Sequence, residues 1–455
     1  MKSILSLFIL ASLCLTTGAQ VKIKPIPSPG YEKRIADFID KMTVIDTHEH
    51  LLDPQRMEEY TSLDFMLLLH QYSSWDIISA GMPPRTFKLL LKDSLTIKEK
   101  WQILQPFWDA SKITAFNRVA LLAADRLFGV NDINESTVEI LSDKIKKAYK
   151  TDWFNRILID SCKIDYFIQD DWDHNRFFSN PRYRLAPRFD DFIHINSKQN
   201  ISSIGRQQNT KIETLDELVN TLYQAFNVAK KKGTVAIKTK GVPFDHILDF
   251  DNVSRERAEK VFNLIIDSSE GTIHPVAEVK DLQDYMMKCL LDLADKNKLP
   301  VVIHTGLIPV PPGNGDINKK GDPLYLINWF RKYPGVNFVL YHGSYPYGGE
   351  LAALAKTYPN VYIDMCILLV VSPSYSERYL HEWLEMVPTS KIMAFGGDYN
   401  NIENVYGNLL FAKEIISRVL TEKVKNGYLT EEEAKNVARM ILHDNAAKLY
   451  KLPDE

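Results

Sequence analysis

From about residue 160 onward, short apolar runs alternate with longer stretches of helical periodicity, and few folds can absorb that rhythm. The runs include IDYFIQD, TVAIK, LPVVIHTG, VNFVLYHG, NVYIDMCILLVV and KIMAFGGDY. Between them lie helical patterns such as TLDELVNTLYQAFNVAKKKG, opened by a Thr214–Glu217 capping box and closed by Gly233. Counting from TVID, and taking RFDDFIHI as a further strand, strands fall near 43, 164, 189, 234, 301, 337, 361 and 392. Alternation of this kind implies parallel strands joined by helical crossovers. Runs rich in Val, Ile, Leu and Phe suit strands buried on both faces. Eight such units predict an α/β fold of the (β/α)8, TIM-like barrel type, whose active site lies at the C-terminal ends of the strands. A doubly wound open sheet competes, but no glycine-rich phosphate fingerprint follows the first strand.

The stretch 51–160 breaks the rhythm. It holds helical patterns, among them SLTIKEKWQILQPFW and ESTVEILSDKIKKAYK, and no convincing strand. It is expected to be a long helical insertion after strand 1 within a single domain spanning 20–455, with a separate helical domain as the alternative. Because it begins directly after His50 it springs from the active-site face, where insertions often form lids. Tyr72, Trp75, Trp101 and Trp108 would either close a pocket or pack a core.

Residues 1–19 read differently again. Lys2, an apolar run from Ile4 to Leu15 and the small residues Thr17-Gly18-Ala19 predict a secretory signal peptide cleaved near Ala19, and hence an exported protein, periplasmic or secreted. The apolar run is short for a membrane span, and no later segment is apolar enough to span one. Cys162, Cys289 and Cys366 are widely spaced within apolar runs, which predicts buried free thiols rather than a disulfide framework. A net charge of −3 with 25% charged residues leaves no basic stripe for nucleic acid. The expected partner is a small-molecule substrate, and barrels of this kind commonly form symmetric homo-oligomers.

What ends each strong strand points to the chemistry. TVID runs into His48 and His50, which share a face because side chains alternate along an extended chain. TVAI ends in Lys238, VVI in His304 and VLY in His342, and AFGG is followed by Asp398. Four of the eleven histidines occupy such ends. Imidazoles and a carboxylate gathered at one barrel mouth would form a divalent-metal site, since zinc accepts N and O ligands and imidazole is the commonest metal ligand. Asp46 would either support the ligands or cap its strand. Arg188 and Asp190–Asp191 would bind a polar substrate or be solvated.

DTHEH, IKT, VIHTG, LYHGSYP and FGGDY resemble the signature of the amidohydrolase superfamily, most closely the amidohydrolase-related branch that includes decarboxylases, uronate-isomerase-like proteins and domains fused to glutamine synthetase. The resemblance implies a metal-dependent enzyme using Zn2+ or another divalent metal, one ion or two. It assigns His48, His50, His304 and Asp398 to the metal, and Asp398, His342 and Lys238 to catalysis. Asp398 would take a proton from water and return it to the leaving group. His342 would hold a second metal or contact the developing oxyanion. Lys238 would be a carbamylated bridge or a lysine binding a substrate carboxylate, with Lys240 as a competitor.

The expected activity is hydrolysis of a C–N or C–O bond in a small polar substrate. Decarboxylation of a small unsaturated acid and uronate isomerisation are the alternatives. The long insertion resembles the isomerases, whereas the strand-6 histidine fits hydrolases and decarboxylases better. An exported barrel that binds without catalysis is the reading from another class.

Overall fold

The computed structural model describes residues 28–171, 180–239, 247–248, 250–307 and 321–453. The expected signal peptide and Lys240 lie outside the described residues. Among the described residues, eight parallel strands follow the expected order: β1 Val44–Glu49, β2 Ile164–Asp171, β3 Tyr183–Pro187, β4 Ile237–Thr239, β5 Val301–His304, β6 Phe338–Tyr341, β7 Val361–Asp364 and β8 Ile392–Met393. They form a three-stranded sheet, β1-β2-β3, and a five-stranded sheet running in sequence from β4 to β8.

Backbone hydrogen bonds tie both seams between these sheets. Val235 N donates to Leu185 O (2.9 Å), and isolated parallel bridges join Leu185 to Thr234 and Arg188 to Lys238. On the other side, Thr47 N donates to Phe395 O (3.2 Å), Asp398 N to His48 O (2.9 Å) and His50 N to Tyr399 O (3.3 Å). One buried apolar cluster draws on Ile45, Ile168, Ala186, Ala236, Val302, Val339 and Met393, with Tyr362 of β7 packed against it. Leu449, Tyr450 and Leu452 close it from the end of the chain.

One expected strand moves. RFDDFIHI is not extended: Asp190–Phe192 is a 3-10 turn, and β3 precedes it. Phe189, Phe192, Ile193 and Ile195 are all buried, a spacing that a turn satisfies and an alternating strand does not. The turn is held by Phe192 N donating to Phe189 O and by Thr239 Oγ1 donating to Asp190 Oδ1 (2.7 Å).

The stretch between β1 and β2 contains helices and no strand, including Tyr72–Ser79, Ile97–Ser111, Ala115–Phe128 and Val138–Ala148. Trp101 and Trp108 are fully buried within it, so core packing is their role. Its end is fastened to the helix Ile402–Lys425 by Glu403, whose carboxylate accepts from Trp153 Nε1 (2.8 Å) and Tyr149 OH (3.4 Å). Burial pushes the Glu403 carboxyl up to about 7, although its hydrogen bonds favour the ionised form. The folded protein thus binds this proton more tightly than the unfolded chain. The contribution is fully present below the ordinary carboxyl range and is lost as pH rises through about 7. Glu403→Gln should therefore shrink the fall in unfolding free energy between acid and neutral pH, read from urea titrations at the two ends of that window.

The three cysteines among the described residues, Cys162, Cys289 and Cys366, are free and buried, as their apolar surroundings predicted. No helix among the described residues is long and apolar enough to cross a membrane.

Candidate metal centre

His48 and His50 leave β1 on one face, and Asp398 reaches them from beyond β8. Asp398 Oδ1 lies 3.3 Å from His48 Nε2 and 3.1 Å from His50 Nε2. On its other side, Asp398 Oδ2 lies 3.8 Å from His342 Nδ1. His342 follows β6, and its Nε2 is 2.9 Å from His304 Nδ1. His48, His50, His342 and Asp398 therefore meet around one carboxylate. His304 joins through His342, with its own Nε2 3.0 Å from Leu307 O.

Among the described residues, two sets of ligand-bearing side chains are close enough together to hold a cation: His48, His50 and Asp170, and His48, Cys366 and Asp398. His304 stands in neither set. Asp170 and Cys366 were not singled out from the sequence. Asp170 ends IDYFIQD as Asp398 follows AFGG, so the same attention to strand ends reaches it. Cys366 looked like core because its neighbours are apolar. Asp170 also receives Arg188, with Nε donating to Oδ1 at 2.6 Å and Nη2 meeting Oδ2. Arg188 thus pairs inside the site rather than standing solvated.

Lys238 on β4 is fully buried, with its Nζ 4.2 Å from the centre of the Tyr341 ring. That amine has no hydrogen-bond partner among the described residues. Burial pushes it down to about 8, with Asp170 opposing and Arg188 adding to the shift.

The electrostatics suit a cation. Burial, helped by the Lys238 charge, pushes His48 down to about 3. Burial likewise pushes His342 down to about 4, and burial and His342 hold His304 well below the usual imidazole range. Neutral rings keep lone pairs available. Burial alone would raise Asp398 and Asp170, but the imidazoles around Asp398 and the guanidinium beside Asp170 outweigh it and hold both carboxyls below the usual range. Neutral imidazoles with ionised carboxylates fit a divalent metal.

The backbone holds these groups in costly conformations. His342 (φ 64), Ile367 (φ 54) and Asp398 (φ 60) are all left-handed without being glycine, a cost of about 1–3 kcal/mol each that surrounding contacts must offset. For Asp398 those contacts come from β1. Asp46 Oδ1 accepts from Gly397 N (3.0 Å) and His48 N (3.2 Å), and Glu49 Oε2 accepts from Tyr399 N (3.0 Å). Asp46 is therefore a brace across the β1–β8 seam. Gly397 leaves room for it: a Cβ there would sit 1.9 Å from Glu49 Oε1 and 3.2 Å from Asp46 Oδ2. Gly397→Ala should destabilise the protein by about 1–3 kcal/mol and weaken metal binding. Chemical denaturation and Zn2+ titration of the variant check this.

The helical stretch after β1 touches the site directly. Gln71 Nε2 donates to Asp398 O (3.1 Å), and Gln71 Oε1 accepts from Asn400 N (2.7 Å). Tyr72 packs edge-on to Tyr399, and burial together with the Asp398 charge and hydrogen bond pushes its hydroxyl well above the ordinary range. Trp75 packs against Tyr72. A cavity of about 500 Å³ is lined by Leu52, Asp53, Trp153, Asn155, Asn180 and Ile402. Leu52 and Ile402 follow His50 and Asp398 closely in the chain.

Residues 271–452, which carry His304, His342 and Asp398, match the Amidohydrolase family model, Amidohydro_2. The protein fluG of Emericella nidulans is 34% identical over 213 residues, covering 45% of this chain and 24% of fluG. The chain thus spans about a quarter of the length of that curated relative. The fold is that of uronate isomerase from Thermotoga maritima, with a TM-score of 0.75 at 17% identity over 93% of this chain and 98% of that one. Glucuronate isomerase from Caulobacter crescentus superposes with a TM-score of 0.74 at 16% identity, over 95% and 97%. The match to the Amidohydrolase family model thus covers the C-terminal strands and the His304, His342 and Asp398 side chains they present.

Proposed function

We propose that this protein is a metal-dependent hydrolase that cleaves a C–N or C–O bond next to a carbonyl in a small polar substrate. The observation that carries this reading is the convergence of His48, His50 and His342 on the two oxygens of Asp398. His48, His50 and Asp398 would hold a divalent cation. A bound divalent cation supplies Lewis acidity, polarising a carbonyl and lowering the pKa of water. Asp398, kept ionised, accepts the proton of the attacking water and passes it to the leaving group. His342 stands beside Asp398 to stabilise charge on the carbonyl oxygen. The buried, unpartnered amine of Lys238 orients a substrate carboxylate or carbonyl.

The eight strands in this reading close into a (β/α)8 barrel, supported by hydrogen bonds at both seams and by the apolar cluster that every strand region touches. The stretch 51–160 is its helical insertion and lid, supported by Gln71 and Tyr72 against Asp398. Export rests on residues 1–19 alone.

Uronate isomerisation is the second reading, favoured by the full-length fold match to two isomerases of sugar acids. The test is a substrate panel of amides, esters, lactones and uronates in labelled water, after chelation and reloading with Zn2+. Label in the product with activity lost on chelation supports the hydrolase. Ketose formation from a uronate replaces it with the isomerase, and released CO2 with a decarboxylase.

A further inference from the structure

We propose that Cys366 is a metal ligand in this centre, giving it a sulfur donor beside imidazole and carboxylate; the inference rests on reading the site as metal-dependent. Its ligand atom lies within 4.8 Å of those of His48 and Asp398, and all three residues are buried. The segment that carries the thiol is fixed from both sides. Asp364 Oδ1 accepts from Cys366 N (2.8 Å), and Ile367 N donates to Gly396 O (3.0 Å). Cys366 O is 3.2 Å from His342 Nδ1, so the same residue also contacts a further member of the site.

The neighbouring strand end makes room for the sulfur. A Cβ at Gly396 would sit 2.9 Å from Cys366 Cβ and 3.0 Å from Cys366 Sγ. Gly396 is therefore a cradle for this thiol, two residues before Asp398. Both nitrogens of His304, which the family resemblance assigned to the metal, meet His342 and Leu307 O. Binding exchanges the thiol proton for the metal: the S–H bond breaks, the S–metal bond forms, and H+ leaves to solvent.

A thiolate changes which ions the site selects. Sulfur with imidazole favours Zn2+ and Co2+, whereas Mg2+ and Mn2+ prefer oxygen donors. The full-length protein is stripped with chelator and loaded with Co2+ alone. A near-ultraviolet sulfur-to-cobalt charge-transfer band is expected, unchanged in Cys162→Ser and Cys289→Ser and abolished in Cys366→Ser. Zn2+ affinity in Cys366→Ser should fall about 10–100-fold or more, the loss seen even for residues that only support a ligand. X-ray absorption of the Zn2+-loaded wild type needs no variant and should show one sulfur at about 2.3 Å. Bound metal with only nitrogen and oxygen neighbours overturns the assignment and leaves the hydrolase reading standing. Failure to bind Co2+ or Zn2+ at all overturns both.

Discussion

Asp398→Asn should lower kcat/KM by at least about 10³-fold, within the range general acid–base catalysis contributes. The neutral amide cannot accept the proton of water, and it weakens the negative pole on which His48, His50 and His342 converge. The fold should survive, because the brace on this residue runs through backbone. Gly397 N and Tyr399 N bond to Asp46 and Glu49, and Asp398 N bonds to His48 O, none of which needs the Asp398 carboxylate. Most of the metal should stay, held by the remaining donors. Steady-state kinetics, metal content and thermal unfolding of the same preparation test this together. Full activity in the variant removes Asp398 from the mechanism.

Arg188→Met should destabilise the protein by about 3–5 kcal/mol, the cost of leaving one partner of a buried ion pair unmatched. Asp170 is fully buried and receives both a short Nε bond and Nη2 from Arg188. Arg188 also lies at the seam between the two sheets, bridged to Lys238. Replacing both members, Arg188→Met with Asp170→Leu, should recover much of the lost stability, since apolar replacement of a buried pair is often neutral. Activity should not return, because Asp170 stands with His48 and His50 in a group close enough to hold a cation. Urea unfolding of the singles and the double separates the two effects as a mutant cycle. Equal stability of Arg188→Met and wild type would show that the pair is unimportant to the fold.

The sequence by itself determined the strand order and singled out polar side chains at strand ends that the fold brings near one another. Buried parallel strands must be apolar, so a polar residue at a strand end is conspicuous, and His48, His50, Lys238, His342 and Asp398 all stood out in that way. Helix starts were equally legible where chemistry is local, as in the Thr214–Glu217 capping box. The third strand was misplaced because the apolar content of RFDDFIHI suggested a strand, whereas the spacing of its buried residues is that of a turn.

Only the tertiary structure decided which donors share a site. Cys366 reads as core from its neighbours, and Asp170 as one acid among many. Their roles depend on distances between strands far apart in the chain. The contact of His304 with His342 and Leu307 O, and the bracing of Asp398 by Asp46 and Glu49 across some 350 residues, arise from backbone conformation and seam pairing. The physical reason is that alternation specifies which way a side chain faces, whereas the left-handed turns at His342, Ile367 and Asp398 determine where it ends up, and those turns are held by long-range contacts.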